Sequence, residues 1–305
     1  MKKDFISIKD FSAKEVEALL SLSAQVKKNP KRYSRILAGK TLALIFEKPS
    51  NRTYVSFSVG MYQLGGNSIY LGPEHIKLGV RESIADVART LERYVDAIVL
   101  RTFSHDNVLE MANSVHIPVI NGLSDFSHPC QALADIFTVR EKFGKKKNIN
   151  MAYIGDGNNV CNSLIFICAK TGINLRIASP VGYAPDQCII DQALADAEKN
   201  HVKIQVSNDP KVASSGADVL YADVWASMGQ EAEANKRKHD FTGYQINSQL
   251  LALAKKDAII MHCLPAHRGE EITDEVIDGK HSVVFDQAEN RMHVEKAILV
   301  KLLCC

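Results

Sequence analysis

The stretch that decides the fold is Thr41-Leu42-Ala43-Leu44-Ile45-Phe46-Glu47-Lys48-Pro49-Ser50-Asn51-Arg52-Thr53. It begins with an apolar run of strand length, from Thr41 to Phe46. After the polar segment the apolar residues recur at helical spacing and share one face: Phe57, Met61 and Leu64. This change of period predicts a buried strand that leads through a short polar loop into a helix.

The loop of this unit has the chemistry of a phosphate-binding site. Ser50 is a favourable N-cap residue, and Pro49 is compatible with the start of a helix. The first backbone N–H groups of a helix lack intrahelical acceptors and lie at the positive end of the helix dipole. Because Arg52 adds a guanidinium to these donors, we expect the loop to bind phosphate. The alternative is that Ser50 only caps the helix and Arg52 only meets a surface carboxylate.

Short apolar runs alternate with helical patterns along the whole chain. The predicted strands are residues 41–46, 68–71, 96–100, 117–120, 149–154, 174–178, 217–222, 258–262 and 283–286. Helices are predicted to begin near residues 13, 53, 83 and 105, and to cover 129–143, 160–170, 185–199, 246–254 and 291–303. This alternation is typical of an α/β protein whose parallel sheets are covered by helices on both faces.

At 305 residues the chain is long enough for two such domains. Its hydrophobic residues, 46% of the total, can supply a core to each. We place the boundary near residues 143–147, which gives a first domain of residues 1–144 and a second of residues 145–305. The closing helix, 291–303, is predicted to pack back on the first domain. The predicted fold is therefore two doubly wound parallel-sheet domains with an active-site cleft between them, since such sheets bind ligands at the carboxyl ends of their strands.

Charge and composition exclude several classes of protein. Lys and Arg total 37 against 35 for Asp and Glu, a net charge of +2, so the chain lacks the excess of positive charge typical of nucleic-acid and membrane-surface proteins. Residues 5–8 are too short for the apolar region of a signal peptide. The seven cysteines have neither metal-ligand nor disulfide-framework spacing. These features predict a cytosolic protein with no membrane or nucleic-acid partner.

The phosphate-binding loop also carries a family resemblance. Ser50-Asn51-Arg52-Thr53 resembles the Ser-Thr-Arg-Thr-Arg carbamoyl-phosphate loop of the aspartate and ornithine carbamoyltransferases, and the preceding Phe-Glu-Lys-Pro is similar to the ornithine branch. Two positions depart from the family pattern. Asn51 stands for Thr and keeps a hydrogen-bond donor, whereas Tyr54 stands for the closing Arg and supplies no positive charge.

Further motifs follow in the order of the family. They are Arg101 after the apolar run 97–100, His128-Pro129-Cys130-Gln131, Asp223 to Gly229 with its Ser-Met-Gly, His262-Cys263-Leu264-Pro265, and Glu289-Asn290-Arg291 at the predicted start of the last helix. The resemblance implies a set of carbamoyl-phosphate contacts: Ser50, Asn51, Arg52, Thr53, Lys77, Arg101, His128, Gln131, Cys263, Leu264 and Arg291. It implies ornithine contacts at Leu123, Asn159, Asp223, Ser227 and Met228, and catalytic roles for Arg101, His128 and Cys263.

The segment Gly155-Asp156-Gly157-Asn158-Asn159-Val160 requires a comparison with dinucleotide-binding loops. Val160 occupies the position of the third glycine, and the next predicted strand ends in Ala-Ser-Pro without an acidic residue for a ribose. The pattern therefore argues against a nicotinamide cofactor.

The resemblance implies that the chain carries a carbamoyl group from carbamoyl phosphate to L-ornithine, with L-citrulline and phosphate as products, in arginine metabolism. It implies no metal and no organic cofactor, and it implies a homotrimer in which the loop at Lys77 reaches a neighbouring subunit's site. A solvated loop lysine is the alternative at Lys77. For the whole chain, the alternatives are a carbamoyltransferase for putrescine or N-acylated ornithine, a noncatalytic phosphate-binding protein, or a nicotinamide dehydrogenase.

Overall fold

The computed structural model describes residues 4–144, 146–226 and 233–304. The chain divides into two compact units, one of Met1–Phe137 with Glu289–Cys305 and one of Thr138–Ala288. Two long helices run across this division, α6 (Pro129–Phe143) and α13 (Val284–Leu303). Each unit is built on its own parallel sheet, so the predicted α/β fold class is confirmed.

The first unit contains a four-stranded parallel sheet in the order β2-β1-β3-β4. Its strands are β1 (Thr41–Phe46), β2 (Asn67–Leu71), β3 (Ala97–Arg101) and β4 (Val119–Leu123). Its other helices are α1 (Ala13–Lys28), α2 (Pro30–Tyr33), α3 (Asn51–Gln63), α4 (Ile84–Leu91) and α5 (His105–Ser114). The strand order reverses between β1 and β3, which are direct neighbours.

The second unit contains a five-stranded parallel sheet in the order β7-β6-β5-β8-β9. Its strands are β5 (Asn150–Ile154), β6 (Asn174–Ala178), β7 (Ile204–Ser207), β8 (Val219–Ala222) and β9 (Ile259–His262). Its helices are α7 (Asn159–Thr171), α8 (Gln187–Lys199), α9 (Pro210–Ser214), α10 (Ala234–Asp240), α11 (Ser248–Leu251) and α12 (Asp274–Ile277).

The stretch from β1 into α3 has the burial that its sequence predicts. Leu42 to Phe46 are completely buried, as expected for a strand with neighbours on both sides. The predicted inner face of α3 is confirmed, because Phe57, Met61 and Leu64 are all buried. The loop after β1 is thereby fixed between a rigid strand and a packed helix.

Three predictions about elements are wrong. Residues 283–286 are not a strand, because α13 begins at Val284; a short apolar run fits a strand and a buried helix equally well. Arg291 therefore lies two turns inside a helix rather than at its start. The helix predicted for residues 246–254 is limited to Ser248–Leu251. The edge strand β7 was not predicted, because only two of its four residues are apolar and none is buried.

Among the described residues, no helix is both long and apolar enough to cross a membrane.

Candidate active site

The strand order of each sheet defines where ligands bind. In open α/β sheets the binding crevice lies at the carboxyl ends of the two strands between which the order reverses. In the first unit these are β1 and β3, which lead to the loop at Ser50 and to Arg101. In the second unit they are β5 and β8, which lead to Asn158 and Asp223. Both edges carry residues that the motifs predict to bind ligands.

The hydroxyl oxygen of Thr53 is a hydrogen-bond acceptor shared by several donors of the first unit. Its Oγ1 accepts a hydrogen bond from Arg101 Nη1 at 3.2 Å and another from Arg291 Nη2 at 3.2 Å. The Ser50 hydroxyl lies at the same distance from it, 3.2 Å. Both arginine side chains are buried. Two guanidinium groups that converge on one oxygen repel each other, so this arrangement is suited to an anionic ligand.

Arg291 is held in place by two buried polar groups. Its Nη1 donates to Gln131 Oε1 at 2.7 Å, and its Nε and Nη2 donate to Glu295 Oε1 at 3.2 and 3.1 Å. Gln131 in turn donates through Nε2 to Asp135 Oδ1 at 2.7 Å. Burial raises the pKa of Glu295 to about 7, and its pairing with Arg291 opposes this effect. Asp135 and Glu295 were not predicted from the sequence, although each lies one helical turn after a predicted contact, Gln131 or Arg291.

His128 lies buried among the cations of the first unit. Burial lowers the pKa of His128 well below its ordinary value, and the positive charges of Arg291, Arg101, Lys48 and Arg52 lower it further. The imidazole is therefore neutral at pH 7 and can offer one N–H as a hydrogen-bond donor. The imidazole of His128 is therefore within electrostatic range of three guanidinium groups, those of Arg52, Arg101 and Arg291.

The loop after β1 differs in detail from its prediction. Ser50 occupies the N-cap position of α3, but its side chain makes no capping hydrogen bond to the backbone. Asn51 is exposed in the first turn of the helix. Tyr54 packs against Tyr70, with ring centroids 4.7 Å apart, so it adds no charge to the loop.

Lys48 is a buried cation that sequence reasoning left without a role. It is 8% exposed, and its Nζ lies 4.6 Å from the centroid of the Phe103 ring. Its position directly after β1, at the carboxyl edge of the sheet, is the sequence feature that could have indicated a role at the site. Lys48 supplies positive charge close to the site in a protein where Tyr54 supplies none.

In the second unit, the carboxylate of Asp223 is the centre of the candidate site. Oδ2 accepts from Asn158 Nδ2 at 2.7 Å, and Oδ1 accepts from the backbone N–H of Val224 at 2.8 Å. Cys263 Sγ lies 2.9 Å from the same Oδ1. Asn158 also caps α7 through Oδ1, which accepts from the N–H groups of Val160 and Cys161. Asn158 was missed by sequence reasoning, which favoured the neighbouring Asn159.

A buried ion pair stabilises the start of the segment that follows Asp223. Arg237 Nη1 donates to Asp156 Oδ2 at 2.7 Å and to the carbonyl oxygen of Trp225 at 3.0 Å. Burial raises the pKa of Asp156, and the charge of Arg237 opposes the rise. The ring of Tyr183 lies beneath the guanidinium, 5.0 Å from its centre. This pair ties the loop after β5 to the chain after β8.

Gly157 has a structural explanation that involves no dinucleotide. A Cβ atom at this position would lie only 2.2 Å from the backbone nitrogen of Pro185 and 2.4 Å from the carbonyl carbon of Ala184. The N–H of Gly157 also donates to the carbonyl oxygen of Tyr183 at 2.7 Å. The glycine is therefore required by the close approach of the 183–185 backbone.

The His-Cys-Leu-Pro motif has a buried histidine at its base. His262 is the last residue of β9; its Nε2 lies 3.0 Å from Glu271 Oε1, and its Nδ1 accepts from the N–H of Leu264 at 2.8 Å. Leu264 adopts a positive φ of 56°. His262 thus fixes the backbone that presents Cys263 and Leu264.

The remaining predicted contacts occupy different settings. Leu123 ends β4 and Asn159 begins α7, and both are half-buried. Lys77 is exposed in the loop between β2 and α4, which the buried Leu78 anchors. Ser227 and Met228 lie outside the described residues.

Comparison with protein families accounts for nearly the whole chain. Residues 3–141 match the carbamoyl-P binding domain of aspartate/ornithine carbamoyltransferase, and residues 147–302 match its Asp/Orn binding domain. The chain belongs to the aspartate/ornithine carbamoyltransferase family. The resemblance expected from the motifs is thereby confirmed.

Individual members of the carbamoyltransferase family resemble the chain over its full length. The chain is 52% identical over 304 residues to an ornithine carbamoyltransferase of Anoxybacillus flavithermus, which covers 99% of this chain and 96% of the relative. It is 50% identical over 307 residues to that of Methanocorpusculum labreanum, covering 99% of each. The solved ornithine carbamoyltransferase of Pyrococcus furiosus superposes with a TM-score of 0.95 at 49% identity, covering 99% of this chain and 97% of that one.

Proposed function

We propose that the protein transfers the carbamoyl group of carbamoyl phosphate to the δ-amine of L-ornithine, with L-citrulline and phosphate as products. The observation that carries this proposal is the convergence of Arg101 and Arg291 on Thr53 Oγ1, each at 3.2 Å. Thr53 and Arg291 are separated by 238 positions in the chain, so only the fold brings them together. The family membership and the named relatives support carbamoyl phosphate as the anion that this arrangement binds.

The phosphate group is assigned to the donors of the first unit. Arg52, Arg101 and Arg291 supply charge, and the loop of Ser50, Asn51 and Thr53 supplies N–H and hydroxyl donors. Charge-assisted hydrogen bonds of this kind are about twice as strong as neutral ones. The carbamoyl group is assigned to His128 and Gln131, with Cys263 and the backbone of Leu264 at its nitrogen. Because Gln131 also accepts from Arg291, it connects recognition of the carbamoyl group to the position of the arginine.

The reaction then proceeds by direct attack. The neutral δ-amine of ornithine adds to the carbamoyl carbon, and the carbonyl oxygen gains negative charge. A neutral His128 N–H and the arginines stabilise that charge more strongly in the transition state than in the ground state. The C–O bond to phosphate breaks, phosphate leaves with the bonding electron pair, and the proton lost by the nitrogen passes to the departing phosphate. No covalent bond to the protein forms at any step.

The pH dependence of the reaction tests the attack by a free amine. An amine of this type has a pKa of about 10.4, so selecting its neutral form at pH 7 costs roughly 4 to 5 kcal/mol. We expect kcat/KM for ornithine to rise steadily from pH 7 to about pH 9 in a citrulline assay with saturating carbamoyl phosphate. A flat profile over this range would exclude the free amine as the attacking species.

Asp223 is assigned to the α-amino group of ornithine, together with Asn159 and Ser227 at the α-groups and Leu123 and Met228 beside the aliphatic chain. Putrescine lacks the α-groups, and N-acylated ornithine has no α-ammonium. We expect Asp223→Asn to lower kcat/KM for ornithine by about 10²-fold, the effect of losing one charge-assisted hydrogen bond. Activity with putrescine should remain low in both proteins. An unmodified protein that prefers either alternative amine would overturn the choice of ornithine.

The homotrimer is part of the same proposal. The outer face of α3 and the edge strand β2 present exposed apolar side chains in the first unit: Tyr54, Val55, Val59, Tyr62 and Ile69. Exposed apolar patches and open sheet edges are typical of surfaces that bind another chain. Such an assembly is the setting in which the loop at Lys77 serves a neighbouring subunit's site. The cytosol is the proposed location.

Lys77→Ala tests the role of this loop. If Lys77 serves the phosphate group, the variant should raise KM for carbamoyl phosphate by about tenfold while trimers, seen by light scattering, persist. The loop lysine Lys280, in the second unit, provides the matched control as Lys280→Ala. An unchanged KM in Lys77→Ala supports the alternative of a solvated lysine.

A noncatalytic phosphate-binding protein is the remaining alternative. It would bind carbamoyl phosphate without producing citrulline from it. A colorimetric citrulline assay on purified protein therefore separates the two functions, and absence of product with both substrates present contradicts the proposal.

A further inference from the structure

A cavity of about 280 Å³ lies in the first unit, beside α2, the end of α3 and the middle of α13. None of the residues assigned to carbamoyl phosphate or ornithine lines it. Its walls combine the apolar side chains of Val26 and Leu64 with polar groups of Lys31, Gln63 and Lys296. A cavity with apolar walls and a few polar groups is typical of a site for a small molecule.

Lys296 is the unusual residue of this cavity. Its side chain is almost completely buried, at 2% exposed, yet its Nζ donates to a neutral acceptor, Gln63 Oε1, at 2.8 Å. Among the described residues, no carboxylate lies within ion-pair distance of Nζ. The carboxylate of Glu289 pairs with two other side chains instead, at 3.6 Å from Lys27 Nζ and 3.1 Å from His293 Nε2. Burial lowers the pKa of Lys296, and the negative charge of Glu289 raises it by a smaller amount without a direct contact.

A buried ammonium without an anion is energetically unfavourable, because the lost hydration is not replaced by an opposite charge. An anion in the adjoining cavity would supply that charge. Lys31, exposed at the rim, adds a second positive charge. One buried ammonium cannot satisfy the many acceptors of a phosphate dianion, and the apolar wall suits a hydrocarbon chain.

We propose that this cavity binds a small aliphatic monocarboxylate, whose carboxylate pairs with Lys296 and whose chain packs on Val26 and Leu64. The site is separate from the substrate contacts described above. Butyrate has the charge and size that the cavity requires, and butylamine, with the same chain and the opposite charge, provides the matched comparison.

Calorimetric titration of the purified full-length protein with butyrate tests the proposal. We expect saturable binding with a dissociation constant in the millimolar range and no binding of butylamine. Lys296→Met keeps the length of the side chain and removes its charge, so it should weaken butyrate binding by at least about tenfold. Lys301→Met, on the same helix, should leave the dissociation constant unchanged.

A second variant covers the case in which Lys296→Met fails to fold. Gln63→Glu places a carboxylate beside Lys296, where it should exclude butyrate and raise the melting temperature through the new ion pair. The proposal is overturned if the unmodified protein shows no saturable binding or if either folded variant binds butyrate as tightly as that protein. Binding that L-norvaline displaces would belong to the ornithine site and would also overturn it.

Discussion

Replacing Arg101 with methionine is expected to lower kcat/KM for carbamoyl phosphate by about 10²- to 10³-fold, or roughly 3 to 4 kcal/mol. The side chain is buried and converges with Arg291 on Thr53. The neighbouring cations repel its positive charge, so removing that charge should lower the free energy of unfolding only slightly. The melting temperature should therefore fall by no more than about 2 to 4 °C.

The phosphate-binding role of Arg101 has a separate equilibrium readout. Inorganic phosphate should raise the melting temperature of the unmodified protein, because a ligand that binds only the folded state stabilises it. The variant should lose most of this shift. Arg89→Met, which changes an exposed arginine on α4, is the matched control and should behave like the unmodified protein. Equal protection of all three proteins by phosphate would show that Arg101 does not contact the anion.

Replacing His128 with alanine should lower kcat by about 10²- to 10³-fold with a much smaller change in KM for carbamoyl phosphate. The reason is that its N–H is assigned to an oxygen whose charge develops mainly in the transition state. His116→Ala serves as control, because the His116 side chain is fully exposed. Steady-state kinetics on both variants would measure the difference.

The pH profile of kcat adds a sharper test for His128. Burial and four neighbouring cations keep the pKa of this imidazole well below its ordinary value. An imidazole whose pKa is lowered in this way stays neutral around pH 7. The pH profile of kcat should therefore contain no step near pH 6.5 that is present in the unmodified protein and absent from His128→Ala. Such a step would mean that the charged imidazolium takes part in the reaction.

The central parts of the fold could be predicted from the sequence because their signals are local. The apolar run 41–46 and the helical face of Phe57, Met61 and Leu64 are both confirmed. The alternation of apolar runs with helical patterns then implied parallel sheets, and the carboxyl ends of the strands gave the edges where Arg101 and Asp223 lie.

Other features depend on contacts between distant parts of the chain. The start of α13 at Val284 was mistaken for a strand, because tertiary packing rather than periodicity decides the structure of a short apolar run. The partners of the predicted contacts, such as Glu295 for Arg291 and Asp135 for Gln131, belong to no motif. Their roles emerge only in the folded chain, which places these side chains together.

Phosphate binding by the three arginines is tested by a crystal structure of the protein with a phosphonate analogue that joins the two substrates. The guanidinium nitrogens of Arg52, Arg101 and Arg291 should lie about 2.7 to 3.2 Å from the phosphonate oxygens. A well-ordered analogue whose phosphonate lies beyond hydrogen-bond distance of all three arginines would show that they do not bind the leaving group.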